Sequence, residues 1–323
     1  MSRPTLRDVA DRAGVSTAAA SLALRDLPGV SPATRDTVLE AAGALGYVVN
    51  VSARNLRRRR TDTIGIYLPP GTSLQWYYAD FALGASDAAG DRGVAALILP
   101  QRGDPRPFLA HVDGIVTVDV RDTDPLARAM LDADVEVVTG ERVSPGQPQP
   151  DGVVYVDHER TMTELLRHLE TRGSTSIGVL LPPDDTAWGH DVAVATRSFA
   201  AASAAQVHEA EVSFSPTTDE IWAAVESLPA GVDAVVAVPD GAATSVAGLL
   251  RSRGQRVPED VRLASYTDSQ SDRLLDPPVT AIDLRPREFG ARCVQLLLDL
   301  LEGADVAPEQ EHDVALNIRA ATD

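Results

Sequence analysis

Residues 5–24 read TLRDVADRAGVSTAAASLAL, and residues 30–50 read VSPATRDTVLEAAGALGYVVN. Thr5-Leu6-Arg7-Asp8 has the form of a capping box, in which a threonine oxygen and an acid three residues on satisfy free amides at a helix start. Leu6, Val9 and Ala10 follow at helical spacing, so a helix is expected over about 5–12, with Gly14 breaking it. Ser16, directly after apolar Val15, caps a second helix over about 16–25. Ser31 followed by Pro32 opens a third, whose apolar face is Val38, Ala41, Ala42 and Leu45 and which Gly46 ends. Two short helices joined by a tight turn and braced by a third describe a helix-turn-helix. Its second helix is the one placed in the major groove of DNA.

The charge divides along the same line. Residues 1–60 hold ten arginines and five acids (Asp8, Asp11, Asp26, Asp36, Glu40), a net of +5. The other 263 residues carry 19 arginines and 42 acids, a net of −23. A basic head on an acidic body is the footprint of a nucleic-acid binder whose body repels phosphate. Charge alone does not separate this from an Arg57–Arg60 run that serves as a solvated linker.

Together with SARNLRRRRTDTIGIYLP at 52–69, these stretches strongly resemble the N-terminus of LacI/GalR-family transcriptional regulators. The likeness continues more weakly through DGIV (113–116), VPEDVRLASY (257–266) and DPPVTAID (276–283). It implies a helix-turn-helix DNA-binding domain over 1–49, a hinge helix and linker over 50–61, and an effector-binding, dimerising body over 62–323. In the head, the DNA-contacting set it implies is Thr5, Ser16, Thr17, Ala18, Ser21, Leu22 and Arg25, with Thr17 and Ala18 at the base-reading positions. In the hinge, Asn50 would cap the helix and Ala53 and Leu56 share a face. Leu56 matches the leucine wedge that parts the central base step from the minor groove, with Arg54 and Arg57 facing phosphates. Packing of an ordered linker is the alternative for Leu56. Val49 stands where the family usually has proline.

The reading helix departs from the family pattern. Leu22 replaces an arginine and Ala19 a phosphate-binding threonine. No side chain from 16 to 22 can make a bidentate contact to guanine or adenine. Affinity is therefore expected to lean on backbone contacts and DNA deformation.

From residue 62 onward, β-like runs alternate with helical ones. Strands are expected at Ile64–Leu68, Val94–Leu99, Gly114–Val118 and Val135–Thr139. A second set follows at Val153–Val156, Ile177–Leu181, Val207–Phe214, Asp233–Val238 and Val261–Tyr266. Helices read at about 76–92, 124–133, 158–172, 189–204, 217–228, 240–253 and 286–302. Strands separated by helices of this length mean βαβ units and parallel sheets. The fold class expected is α/β: an N-terminal all-α helix-turn-helix head plus a periplasmic-binding-protein-like body of two parallel-sheet lobes. The resemblance puts lobe 1 at about 62–156 and 285–311 and lobe 2 at about 157–284 and 312–323. Ligand would bind between them, at the strand C-terminal ends.

Catalysis is not expected. The chain has no lysine, which excludes a P-loop, a Schiff-base enzyme and a protein kinase. It has no GxSxG, no HExxH and no GxGxxG after a strand. The six histidines (His111, His158, His168, His190, His208, His312) are not at ligand spacing and read as surface or structural residues. The single cysteine, Cys293, falls in the apolar stripe Phe289, Cys293, Leu296, Leu297 and Leu300 and reads as core. No metal or cofactor is implied. With neither a signal sequence nor an apolar run of membrane length, the chain reads as cytoplasmic and nucleoid-associated.

For the effector cleft, the resemblance implies Trp76 and Tyr77 as ring-stacking residues and Arg197 as the arginine of an RxxG stretch whose glycine is Ala200 here. It also implies Asp240, behind Pro239 where the family has asparagine, and Asp268, beside Thr267 where the family has a second aspartate. Glu141 and Trp222 complete the set, although Trp222 also fits plain helix core. The missing asparagine and aspartate speak against an ordinary sugar. An aromatic-stacking or anionic ligand fits Trp76, Tyr77 and Arg197. A degenerate cleft without any effector would leave an architectural DNA binder. The partners implied are pseudo-palindromic double-stranded operator DNA, a small molecule of unknown identity and a second copy of the chain, with no membrane. A homodimer is expected because one head reads half a site, and the few residues after Val314–Ile318 leave no length for a tetramerising helix.

Overall fold

The computed structural model describes residues 4–47, 60–72 and 75–323, and the chain divides into two compact units, Met1–Thr61 and Asp62–Asp323. The first contains α1 (Leu6–Ala13), α2 (Thr17–Leu24) and α3 (Pro32–Leu45). The capping box forms, with the Thr5 amide donating to Asp8 at 2.7 Å. Those bonds from Thr5 hold the Asp8 carboxyl below its usual range. Ser16 accepts from the Ala19 amide at 3.1 Å, and Ser31 from the Thr34 amide at 3.1 Å. Gly14 ends α1 at φ 66°, a left-handed conformation that costs a residue with a Cβ about 1 kcal/mol. The core is mostly small: Val9, Ala10, Ala20, Ala23, Val38, Ala41 and Ala42. Alanine at these positions lets three short helices approach closely.

Among the described residues, the second unit is built from twelve strands. In chain order they are β1 (Thr63–Tyr67), β2 (Ala95–Ile98), β3 (Gly114–Val118), β4 (Glu136–Gly140), β5 (Gly152–Tyr155), β6 (Ser176–Leu181), β7 (Gln206–Glu211), β8 (Ala234–Ala237), β9 (Arg262–Ser265), β10 (Thr280–Asp283), β11 (Glu309–Glu311) and β12 (Ala315–Asn317). One six-stranded sheet has the order β11-β5-β4-β3-β1-β2 and is parallel throughout. The other has the order β12-β10-β9-β8-β6-β7 and is parallel except where β12 runs against β10. Helices cover both sheets, so β3 and β8 are buried along their whole length. This is why they read as unbroken apolar runs rather than alternating ones.

The strand over Val153–Val156 belongs to the first sheet, not the second set. It pairs with β4 through Thr139↔Val153 and with β11 through Val153↔Glu309. The chain changes sheet after β5, and the helix His158–Thr171 then leads into β6. The seven longer body helices lie within two residues of their expected ends; two short ones, Arg106–Leu109 and Gln270–Leu274, carry too little periodicity to be read. Cys293 is fully buried beside Phe81, Phe289 and Leu297. Burial pushes its thiol well above the ordinary value, which makes it unreactive. Among the described residues, no helix is long and apolar enough to cross a membrane.

Candidate functional site

The head offers one exposed helix face. Thr17 and Ala18 are exposed at the start of α2, and Ser21 and Leu22 are half-buried one turn on. Arg25 is exposed, and its Nε donates to the Ser21 carbonyl at 3.0 Å. Thr5 and Ser16 spend their hydroxyls on caps yet stay at the surface. Asn50, Ala53, Arg54, Leu56 and Arg57, with the hinge helix, lie outside the described residues.

The body contains a pocket of about 450 Å³, part of it open to solvent, between the two sheets. Most of its walls come from residues just past strand ends. Asp119 follows β3, Glu141 follows β4, Pro239 and Asp240 follow β8, and Tyr266 and Thr267 follow β9. Parallel strands direct their carboxyl ends to one side, which gathers these loops without further instruction from the sequence. Tyr77 and Tyr78 enter from the start of the helix Trp76–Asp91, and Trp188 from the start of the helix Ala187–Ala202.

Aromatic rings run continuously around the pocket. Tyr77 meets Tyr78 edge-on at 5.1 Å, Tyr78 meets Phe214 at 6.3 Å, and Phe214 meets Trp188 at 6.4 Å. His158 then links Trp188 at 6.1 Å to Tyr266 at 5.9 Å. Asp119 and Glu141 both hold left-handed backbone, at φ 49° and 72°. The Tyr78 hydroxyl donates to Asp119 at 2.7 Å. Burial, then the nearby Glu141 charge, pushes the Asp119 carboxyl up to about 7. Burial alone would lower His158, but Glu141, 3.1 Å from its Nε2, holds it above the ordinary value. Burial also raises Asp240, against bonds such as the one its carboxylate accepts from the Tyr77 amide at 3.2 Å.

The pocket mouth is latched between the two sheets. The Asp122 amide donates to the Asp185 carbonyl at 2.8 Å, and Arg121 pairs with the Asp185 carboxylate at 2.6 Å. Gln75 Nε2 donates to the Phe214 carbonyl at 3.4 Å, and the Ser215 hydroxyl to the Gly71 carbonyl at 3.1 Å. The lobes are therefore in a closed arrangement.

The pocket gathers three of the seven expected cleft residues: Tyr77, Glu141 and Asp240. Arg197 is not among its walls. It lies exposed on the outer side of its helix, in a forked pair with Glu209 at 2.9–3.2 Å. Helical geometry is the reason. Val192, Ala195, Thr196 and Phe199 form the buried face, and at roughly 100° per residue Arg197 points away from Ala195. Trp76 is 53% exposed. Trp222 donates its Nε1 to the Ser245 carbonyl at 3.0 Å, away from the pocket. Asp268 is clamped by Arg319 at 2.6 Å, Arg273 at 3.1 Å and Asn317 at 3.0 Å. Those partners outweigh burial and hold its carboxyl below the usual range. Without Arg197, the group in the described pocket walls able to carry positive charge is His158, which is already paired with Glu141. Tyr78, Asp119, His158, Trp188, Phe214 and Tyr266 line the pocket although the sequence reading passed over them. Position just past an expected strand end was the available signal for Asp119 and His158, whereas Tyr266 closed the expected strand Val261–Tyr266 and lies one residue past the observed one.

Comparison with known proteins gives a consistent picture. The family description "Bacterial regulatory proteins, lacI family" matches residues 5–50, and "Periplasmic binding protein-like domain" matches residues 166–322. The HTH-type transcriptional regulator CelR of Thermobifida fusca is 33% identical over 325 residues, covering 95% of this chain and 94% of that protein. Catabolite control protein A of Staphylococcus xylosus is 25% identical over 314 residues, covering 94% of each. A solved complex of the regulator CelR with cellobiose superposes with a TM-score of 0.71 at 28% identity, over 99% of this chain and all of that one. A lac repressor dimer bound to operator and the anti-inducer ONPF superposes with a TM-score of 0.83 at 22% identity over 99% of each chain, a likeness of fold.

Proposed function

Because the chain belongs to the LacI family of bacterial regulatory proteins, a DNA-binding transcriptional regulator, we propose that it is a repressor whose operator affinity is set by a small molecule held in the body pocket. The ring-lined pocket at the strand ends carries this reading. It joins mostly aromatic and apolar walls to a few convergent polar groups, the usual make-up of a small-molecule site. An architectural binder with a degenerate cleft would have no reason to keep three carboxylates and a histidine around such a space. Each buried charge costs stability unless something answers it.

In this reading, two chains pair so that two heads meet the halves of a pseudo-palindrome. Thr17, Ala18 and Leu22 present methyl groups to base edges, while Thr5, Ser16, Ser21 and Arg25 hold phosphates. The arginine-rich segment after Asn50 supplies further phosphate contacts, and Leu56 enters the minor groove as a wedge. A small molecule that binds one lobe angle better than another shifts the spacing of the paired heads. It can change operator affinity only by that difference. The chain performs no chemistry on its ligand.

The test is recovery of genomic fragments by the full chain, followed by titration on the enriched site. A pseudo-palindromic sequence bound about a thousandfold or more above random DNA is expected, with affinity falling steeply as salt rises. Enrichment without a shared sequence would contradict the proposal.

A further inference from the structure

We propose that the pocket is built to receive a small organic cation, an ammonium-bearing ligand, rather than a neutral polyol or an anion. This rests on the reading of the pocket as the effector site. The first observation is the charge around the cavity. Among the described residues, its walls carry three carboxylates, Asp119, Glu141 and Asp240, and no arginine, and His158 is the one wall residue able to hold a positive charge.

Each of these groups has a different partner. His158 answers Glu141, at 3.1 Å. Asp240 accepts from the backbone amide of Tyr77 and lies 3.5 Å from the Thr267 hydroxyl. Asp119 is 5% exposed and, among the described residues, its carboxyl accepts from the Tyr78 hydroxyl. Burial, then the Glu141 charge, pushes it up to about 7, and the more distant pull of His158, which is paired with Glu141, does not offset them. A neutral ligand can hydrogen-bond to Asp119 but cannot supply a counter-charge. An ammonium can, inside a low-dielectric wall where the pairing is strongest.

The second observation is the ring wall. Tyr77, Tyr78, Trp188 and Tyr266 surround the same space together with Phe214, whose ring already carries Arg121 at 4.8 Å, and aromatic faces attract a desolvated cation. The third is a waiting acceptor. Gln75 Oε1 is buried with no donor among the described residues, while its Nε2 donates to the Phe214 carbonyl at 3.4 Å. Trp188 Nε1 is buried without an acceptor on the same wall. An ammonium supplies donors to carboxylate and carbonyl and a charge to the ring faces, and a hydroxyl oxygen beside it answers the indole.

The experiment uses the full chain and two matched pairs. One is ethanolamine against 1-propanol, in which a methyl group replaces the ammonium. The other is glucosamine against glucose. Calorimetric titration is expected to show the ammonium member of at least one pair binding about tenfold or more tighter than its partner. Asp119→Asn should bring that ratio close to one, because asparagine keeps the shape and tolerates left-handed backbone but carries no charge. Thr267→Phe, which fills the pocket from a half-buried wall position, should abolish binding of both members.

The proposal is overturned if neutral members bind as tightly as their ammonium partners, or if neither ammonium probe binds up to about 10 mM. Neutral binding that Thr267→Phe removes leaves the pocket as the effector site and sinks only the cation. Probe binding that Thr267→Phe leaves untouched sinks the effector-site reading itself.

Discussion

Gly290→Val is expected to destabilise the body severely. The helices Trp76–Asp91 and Pro286–Leu301 meet so closely that a Cβ at Gly290 would lie 2.1 Å from the Phe81 carbonyl oxygen. A Cβ at Gly84 would lie 1.9 Å from the Arg287 carbonyl oxygen. Both obstacles are helix backbone, so no side chain can swing aside. The contact is also anchored on either flank. Phe81 and Phe289 meet edge-on at 5.8 Å, and Arg287 reaches Asp80 at 3.1 Å and Asp87 at 2.6 Å. Separating the helices would open the core around Ile64, Val116 and Cys293. Ordinary overpacking costs about 1–3 kcal/mol; against two rigid backbones the expectation is more than about 4 kcal/mol, a large share of a typical total of about 5–15. Thermal denaturation should show the midpoint falling by about 10 °C or more. Gly248→Ala is the control. Gly248 lies inside the helix Ala242–Ser252 with open space where its Cβ would go, so alanine should stabilise by about 0.5–1 kcal/mol. A Gly290→Val chain that melts with the unmodified one would refute the close crossing.

Ala18→Glu is expected to abolish operator binding while leaving the fold intact or slightly firmer. Ala18 is the second residue of α2 and exposed. An acidic side chain in the first turn suits the helix dipole by about 0.3–1 kcal/mol. Against DNA the same carboxylate meets phosphate charge and base acceptors with no cation beside it. The loss expected is about hundredfold or more, near 2.7 kcal/mol. Fluorescence anisotropy on the recovered operator measures it, with thermal denaturation as the fold control. Affinity within about threefold of the unmodified chain would place the DNA-reading face elsewhere.

The head was legible because its signals are local. Thr5 with Asp8, Ser16, Ser31 with Pro32, and Gly14 each act within one turn of chain. The body strands were legible because parallel strands buried on both faces, such as β3 and β8, read as unbroken apolar runs. The sheet that takes β5 was not legible in the strand pattern, because a run of four residues does not say which sheet it joins; it pairs with nearby β4 as well as with β11, more than 150 residues on. The pocket was legible only in part. Glu141 and Asp240 follow strand ends, and Tyr77 starts a helix beside them. Arg197 was placed by motif likeness, although the apolar repeat Val192, Ala195, Thr196, Phe199 already turned it outward. The chain of rings from Tyr77 to Tyr266 is a product of tertiary closure, with members from five separate segments, and no local pattern announces it.

One titration tests the link between pocket and operator most directly. The full chain is titrated onto the recovered operator at about 0.15 M salt, without ligand and then at saturating concentration of whichever probe the pocket binds. The expected result is a shift in operator Kd of about 5- to 150-fold, the usual span of coupling between two sites. The Thr267→Phe chain should bind the same operator with no shift. An operator Kd that stays the same with and without saturating ligand would contradict control of DNA binding through the pocket.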